Sequence, residues 1–290
     1  MCAAEPRVGV VILTMGTRPS DLHRAIASVL AQRGVVTEVV VVGNGWHPID
    51  LPDAVGQVTL EANIGIPAGR NAGVPHVRGD LLLFVDDDAA LASPDFLSTA
   101  IDMFDRDPKL GLVQPRVIDP AGLPSPRRWV PRLRAGDPGA SGPATSLWEG
   151  VVVIRRSTWE EVGGWPDEFF YAHEGIDLVW RTWDARFLPW YAADLIAHHP
   201  VIDPKRHAEY FRLNARNRVW LARRNLPVVL EPCYVATWIA LTVLRERSFT
   251  SLRSWFGGLL EGIRRRPTGR RRMRWSTVWA MTRAGRPPVI

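Results

Sequence analysis

The chain has 290 residues, 46% of them hydrophobic and 23% charged, the balance of a soluble protein with one sizeable core plus additions. Its formal charge of +6 is carried almost wholly by arginine, since Lys109 and Lys205 are the only lysines; basicity alone is weak evidence for a nucleic-acid partner, and none is expected. Cys2 and Cys233 are too few and too far apart for a disulfide framework, and residues 1–10 lack the basic, apolar and small-residue series of a signal peptide, so a cytoplasmic chain is expected.

Residues 8–14 (VGVVILT) are a β-branched run that predicts a first buried strand, after which Gly16 and Pro19 turn the chain. Ser20 is placed to cap a helix in which Leu22, Ile26, Val29 and Leu30 recur at helical spacing until Gly34. A second strand is expected over 38–42, stopped by Gly43, Asn44 and Gly45, and a third over 58–60. In residues 63–73 (NIGIPAGRNAG) three glycines and two asparagines surround Arg70. Open backbone beside one positive charge suits a phosphate or nucleobase, and a flexible loop leading into a helix is the plainer alternative.

Residues 81–91 (LLLFVDDDAAL) organise the rest. The apolar run after Gly79 and Asp80 predicts a buried parallel strand, and it ends in Asp86, Asp87 and Asp88. Three adjacent carboxylates repel one another unless a cation sits among them. Alternate residues of a strand point the same way, so Asp86 and Asp88 are expected to converge while Asp87 faces elsewhere. The carboxyl end of a central strand is where open α/β sheets bind ligands. Two hard oxygen ligands suit Mg²⁺ or Mn²⁺ with positions left for substrate phosphates.

Ser93 and Pro94 resemble the start of a helix reaching Phe104, and 110–117 predicts another strand. This alternation argues for a mostly parallel sheet with helices on both faces. Residues 119–146 predict a long loop, followed by a strand over 150–154 and a capping box at Ser157 and Glu160. An aromatic turn, 163–170 (GGWPDEFF), leads into a helix over 171–181 (YAHEGIDLVWR). Carboxylates at a helix start are favoured by its dipole, so Glu174 and Asp177 also fit a purely structural role.

From Lys205 the chain predicts helices, with Tyr210, Leu213, Val219, Trp220 and Leu221 on an apolar face and a break at Pro227. The uncharged run 233–244 is too short to span a bilayer. Beyond it, Trp255, Trp275 and Trp279 alternate with Arg264–Arg266 and Arg270–Arg272, the composition of a membrane-surface segment or of a solvated basic face.

Two nucleotide-handling classes compete for the aspartate strand. P-loop ATPases need a glycine-rich loop ending in Gly-Lys-Ser/Thr, and no lysine precedes Lys109, which excludes them. The same absence counts against the sugar nucleotidyltransferases that Gly16, Thr17 and Arg18 faintly suggest.

Taken in order, VVILTMGTRP, NIGIPAGRNAG, FVDDDAALASPDFL, RRSTWEEVGGWPDEFF and HEGIDLVWR resemble the family 2 glycosyltransferases with the GT-A fold, a likeness running from about Val10 to Asn225. The segment HHPVIDPKRHAEYFRLNARNRVWL is similar to bacterial rhamnosyl- and galactofuranosyltransferase-like members. The resemblance implies an α/β GT-A core over 1–204, a mostly parallel sheet flanked by helices, and a helical, arginine- and tryptophan-rich extension over 205–290. It implies transfer of a sugar, with inversion, from a nucleotide-diphosphate donor to a hydroxyl of a cell-envelope glycan or lipid-linked saccharide. The extension would bring the enzyme to the inner face of the membrane.

The same resemblance places Thr14 and Arg18 beside the nucleotide base with Arg70 and Asn71 close by, Asp86 toward the donor ribose or phosphate with Asp87 next to it, and Asp88 on the Mg²⁺ or Mn²⁺ ion. His199, or its neighbour His198, matches a histidine that reaches the metal or diphosphate. Two positions depart from the family pattern. Gly43 and Asn44 stand where an aspartate usually holds the base, leaving Asn44 as the candidate contact, and Gly175 stands where a carboxylate usually deprotonates the acceptor. Glu174 is the first substitute for that base, Asp177 the second and His173 the third. With no base, the chain would be a nucleotide-sugar-binding protein with little turnover.

Overall fold

The computed structural model describes residues 5–131, 137–203 and 209–289. In chain order its elements are β1 (Arg7–Thr14), α1 (Pro19–Leu30), β2 (Val36–Asn44), β3 (Val55–Leu60), α2 (Ile66–Gly73), β4 (Leu81–Asp86), β5 (Ala90–Leu91), α3 (Phe96–Arg106) and β6 (Leu110–Ile118). There follow β7 (Gly142–Pro143), β8 (Val151–Arg155), α4 (Arg156–Val162), α5 (Glu174–Asp184) and β9 (Leu188–His198). The chain then turns helical, with α6 (Tyr210–Asn225), α7 (Leu230–Arg245), α8 (Phe249–Arg264) and α9 (Trp275–Arg283).

The strands form one sheet in the order β3-β2-β1-β4-β8-β6-β9-β5, with β7 also on β9. Pairing is parallel from β3 to β4 and between β6 and β9, while β8 enters antiparallel to both β4 and β6. The unbroken apolar runs follow from burial on both faces. In β1, Val8, Val10 and Ile12 point to a core shared with Leu22, Ile26 and Val29 of α1, while Val11 and Leu13 point to the opposite core. That second core continues without interruption into Trp220 and Leu221 of α6, Tyr234 of α7 and Met281 of α9. The expected domain boundary at 204/205 lies outside the described residues.

Several predicted helix starts shift. Helix α1 begins at Pro19, with Arg18 rather than Ser20 at the N-cap. Helix α3 begins at Phe96 behind Asp95 rather than behind Ser93, and α4 starts behind Arg155 with no side-chain cap from Ser157. Proline in the first turn already has the helical φ and no N–H to satisfy, which draws the start of α1 to Pro19. Helix α5 begins only at Glu174, because Phe170, Ala172 and His173 all have positive φ (62°, 72° and 70°), which interrupts any helix there. The segment around Arg70 is largely helical rather than an open loop.

At the C-terminal end, Trp255 is buried at 2% exposure against α6, so it belongs to the packed side of its helix. Trp275 and Trp279 are exposed. Among the described residues no helix is long and apolar enough to cross a membrane.

Candidate functional site

The carboxyl end of β4 delivers its acids into a tight turn. Asp86, Asp88 and His199 bring one ligand atom each within 4.8 Å of one another, and Asp88 Oδ1 lies 3.0 Å from His199 Nε2. His199 comes from the residue after β9 and packs edge-on against both Trp148 and Trp129, with centroids 4.8 and 5.6 Å away, and these two rings also touch each other. Its Nδ1 is buried without a partner among the described residues. Asp87 turns the other way, accepting from Thr14 Oγ1 at 2.6 Å, and Arg18 bridges Asp87 Oδ1 at 2.8 Å and Asp88 Oδ2. Burial pushes Asp87 up to about 6 against the opposing pull of Thr14 and Arg18. In Asp88 burial works in the same direction, but His199 and Arg18 outweigh it and hold the carboxyl below its ordinary value.

Arg70 reaches the turn from α2. Its Nη2 donates to Asp86 Oδ1 at 2.6 Å, and the guanidinium lies 4.9 Å from the centre of the Trp165 ring. Only 1% of Arg70 is exposed, yet its Nε and Nη1 have no partner among the described residues, which leaves donors free for an anion. The two expected asparagine contacts face other work. Asn44 donates to Asn63 Oδ1 and to the Gly65 carbonyl and accepts from the Ile64 N–H, pinning the 63–65 loop. Asn71 holds both the N–H and the carbonyl of Trp165, tying α2 to the aromatic turn.

Glu174 and Asp177 both lie in the first turn of α5, in opposite surroundings. Asp177 is fully buried and accepts from Arg181 Nε (2.7 Å), Arg224 Nε (3.1 Å) and Asn225 Nδ2 (2.7 Å). Burial opposes its charge, but Arg181, Arg224 and Asn225 hold it below the ordinary carboxylate value. Glu174 is 3% exposed and its Oε2 has no partner among the described residues. Burial and the neighbouring charge of Glu149 push it to about 8. His173 precedes them at positive φ, and burial and Arg218 carry it well below the ordinary imidazole value. Non-glycine residues at positive φ carry strain that neighbouring structure must hold in place. Here Asn217 of α6 does so, its Nδ2 lying 2.8, 2.7 and 2.9 Å from the carbonyls of Phe169, Tyr171 and Ala172.

Glu149 is the site residue that the sequence did not disclose. It falls between the irregular 119–146 segment and the apolar strand that follows, a lone acid with no periodicity around it. Its Oε1 accepts from the Gly175 N–H at 2.8 Å. Burial raises its carboxyl above the ordinary value, with Arg70 and that N–H opposing.

Residues 10–139 match the family model for glycosyl transferase family 2. The O-antigen biosynthesis protein RfbC of Myxococcus xanthus is 24% identical over an alignment of 254 residues that covers 77% of this chain and 20% of RfbC, so the chain spans about a fifth of that relative's length. Among solved structures, GalNAc-T7 with UDP, GalNAc and Mn²⁺ matches with a TM-score of 0.63 at 13% identity, over 87% of this chain and 54% of its own. TarS of S. aureus in complex with UDP matches with a TM-score of 0.61 at 16% identity, over 89% and 80%. The fold is that of the GT-A glycosyltransferases.

Proposed function

We infer that this chain, whose residues 10–139 match the family model for glycosyl transferase family 2, is a metal-dependent, inverting sugar transferase. It would move a hexosyl or pentosyl unit from a nucleoside-diphosphate sugar to an acceptor hydroxyl. The observation that carries this reading is the convergence of Asp86, Asp88 and His199 at the carboxyl end of β4. Two carboxylates and an imidazole are a donor set that fits Mn²⁺ or Mg²⁺. Asp88 and His199 would hold the ion, with Asp86 beside them. The ion would neutralise charge on the departing diphosphate. The unpartnered donors of Arg70 supply a protein cation for the same anion, and Arg18 and Thr14 shape the nucleotide side of the turn. The solved relative that holds UDP and Mn²⁺ together supports the donor class.

The test is release of nucleoside diphosphate by the purified chain from a panel of UDP-, GDP- and dTDP-linked sugars with Mn²⁺. Turnover of one donor that stops on chelation is expected. Nucleotide binding without any release would favour the second reading, a nucleotide-sugar-binding protein, which Gly175 motivates.

The acceptor is proposed to be a cell-envelope or lipid-linked saccharide, in line with the O-antigen role printed for the M. xanthus relative. The C-terminal helices fit a membrane surface. Helix α7 carries an uncharged run of which Tyr234 is the buried residue, and Leu244 and Phe249 are 69% and 80% exposed beside Arg245, Arg247 and Arg253. Removing the tail is a poor probe, since Met273 and Met281 are buried in the core. The pair Leu244→Ser and Phe249→Ser should instead lower sedimentation with anionic vesicles several-fold at unchanged thermal stability. Equal sedimentation of the two proteins would sink the membrane proposal.

A further inference from the structure

Three consecutive residues ahead of β8 touch three corners of the site. Trp148 packs against His199, Glu149 accepts from the Gly175 N–H, and the Gly150 carbonyl accepts from the Asp86 N–H at 2.8 Å. The bridge is held from below by Gln114, whose Oε1 accepts from the Trp148 N–H at 2.8 Å. A Cβ on Gly150 would lie 2.0 Å from the Trp148 ring, so glycine there leaves the room that this ring fills. By register Val85 pairs with Val151, so Glu149 stands just beyond that pairing, opposite the aspartate turn.

The space beside Gly175 is not empty. A Cβ on Gly175 would lie 2.4 Å from Glu149 Oε1, 2.6 Å from its Cγ and 2.7 Å from its Cδ. The Glu149 carboxyl therefore fills the volume that an acidic side chain at 175 would occupy, and the Gly175 N–H anchors one oxygen there.

We propose that Glu149 is the catalytic base of this chain, its carboxylate arriving from the strand side to the place that Gly175 leaves open on the helix. This rests on the transferase reading above. In the step, one Glu149 oxygen takes the proton of the acceptor hydroxyl as the hydroxyl oxygen bonds to the anomeric carbon. The bond from the anomeric carbon to the diphosphate oxygen breaks with its electron pair leaving on the diphosphate, and the proton then passes from Glu149 to solvent. Glu149 keeps partial exposure, whereas Glu174 is 3% exposed. A base whose proton affinity is raised by burial also accepts a proton more readily. Burial and the charge of Glu149 raise Glu174, which favours its protonated form beside the Glu149 carboxylate.

The experiment compares wild type, Glu149→Gln, Glu149→Ala and the double variant Glu149→Ala/Gly175→Asp. Each is measured for UDP and GDP binding with Mn²⁺ and for kcat of donor hydrolysis on the same sugar panel, water standing in for the acceptor. Glu149→Gln should keep nucleotide binding within about threefold and lower kcat by about 10²–10⁴-fold, the usual contribution of a general base. Moving the carboxylate back to the helix in the double variant should recover at least about tenfold over Glu149→Ala. A Glu149→Gln kcat within threefold of wild type, loss of nucleotide binding in that variant, or no recovery in the double variant would each overturn the assignment. If wild type binds nucleotide but hydrolyses no donor, the transferase reading fails first and takes this one with it.

Discussion

The aspartate turn after β4 and the start of α5 are both crowded with acids, and the protein handles their charge in opposite ways. Asp86, Asp87 and Asp88 each meet an arginine, Arg70 for the first and Arg18 for the other two. At α5 the cations are divided unevenly. Asp177 takes two arginines and an asparagine, while Glu174, three residues earlier, has no cation in ion-pair contact among the described residues. Helix position alone would make the two carboxylates equivalent. Their neighbours pull the proton affinity of Asp177 down and leave that of Glu174 raised, so the α5 acids are set apart by their environment rather than by their order in the chain.

The sharpest break of this comparison is at the aspartate turn. Asp88→Ala removes the carboxylate shared by Arg18 and His199, and Mn²⁺-dependent UDP or GDP binding should weaken by more than about 100-fold in calorimetry. Nucleotide binding that keeps its Mn²⁺ dependence in this variant would take Asp88 out of the metal site.

Next comes Asp177→Ala, which strands Arg181 and Arg224 as buried cations. The expected loss is about 3–5 kcal/mol in denaturant unfolding, the usual cost of removing one partner of a buried pair. A change under about 1 kcal/mol, within the range of exposed pairs, would show the network to be dispensable.

The smallest effect separates the two α5 acids by pH. Glu174 is raised from 4.5 to about 8, so between these values the folded chain holds a proton that the unfolded chain has released. Its contribution to stability therefore falls as pH rises through that window. Asp177 is depressed, so its contribution is complete above the unfolded carboxylate value and is lost only in acid. Thermal unfolding from pH 5 to pH 8 should show a shallower decline in Glu174→Gln than in wild type. Parallel slopes would mean that Glu174 ionises freely.

What could be seen in the sequence follows from how each part is built. The β1 and β4 strands announce themselves as contiguous apolar runs, and Asp86 and Asp88 converge as expected, although Asp88 lies in the turn after β4 and not in the strand. The helix starts were less legible, since Ser20, Ser93 and Ser157 carry the right side chains beside stronger backbone preferences. Asn44 and Asn71 have nucleotide-binding chemistry, but their amides are engaged by loop backbone whose fold no local pattern discloses. Glu149 was hidden for a different reason. Its meaning lies in a gap at Gly175, 26 residues away, and a gap has no side chain to notice.

Asn217 extends this to inheritance. One amide on α6, beyond the segment that matches the family model, holds the carbonyls of the strained turn that feeds α5. A chimera that joined this sheet to the C-terminal helices of a relative would thus import a new setting for the start of α5, even with every residue before α6 unchanged. Swapping the tail therefore requires the asparagine to travel with the sheet, and its replacement offers a route to drift at the start of α5 that leaves the aspartate turn untouched.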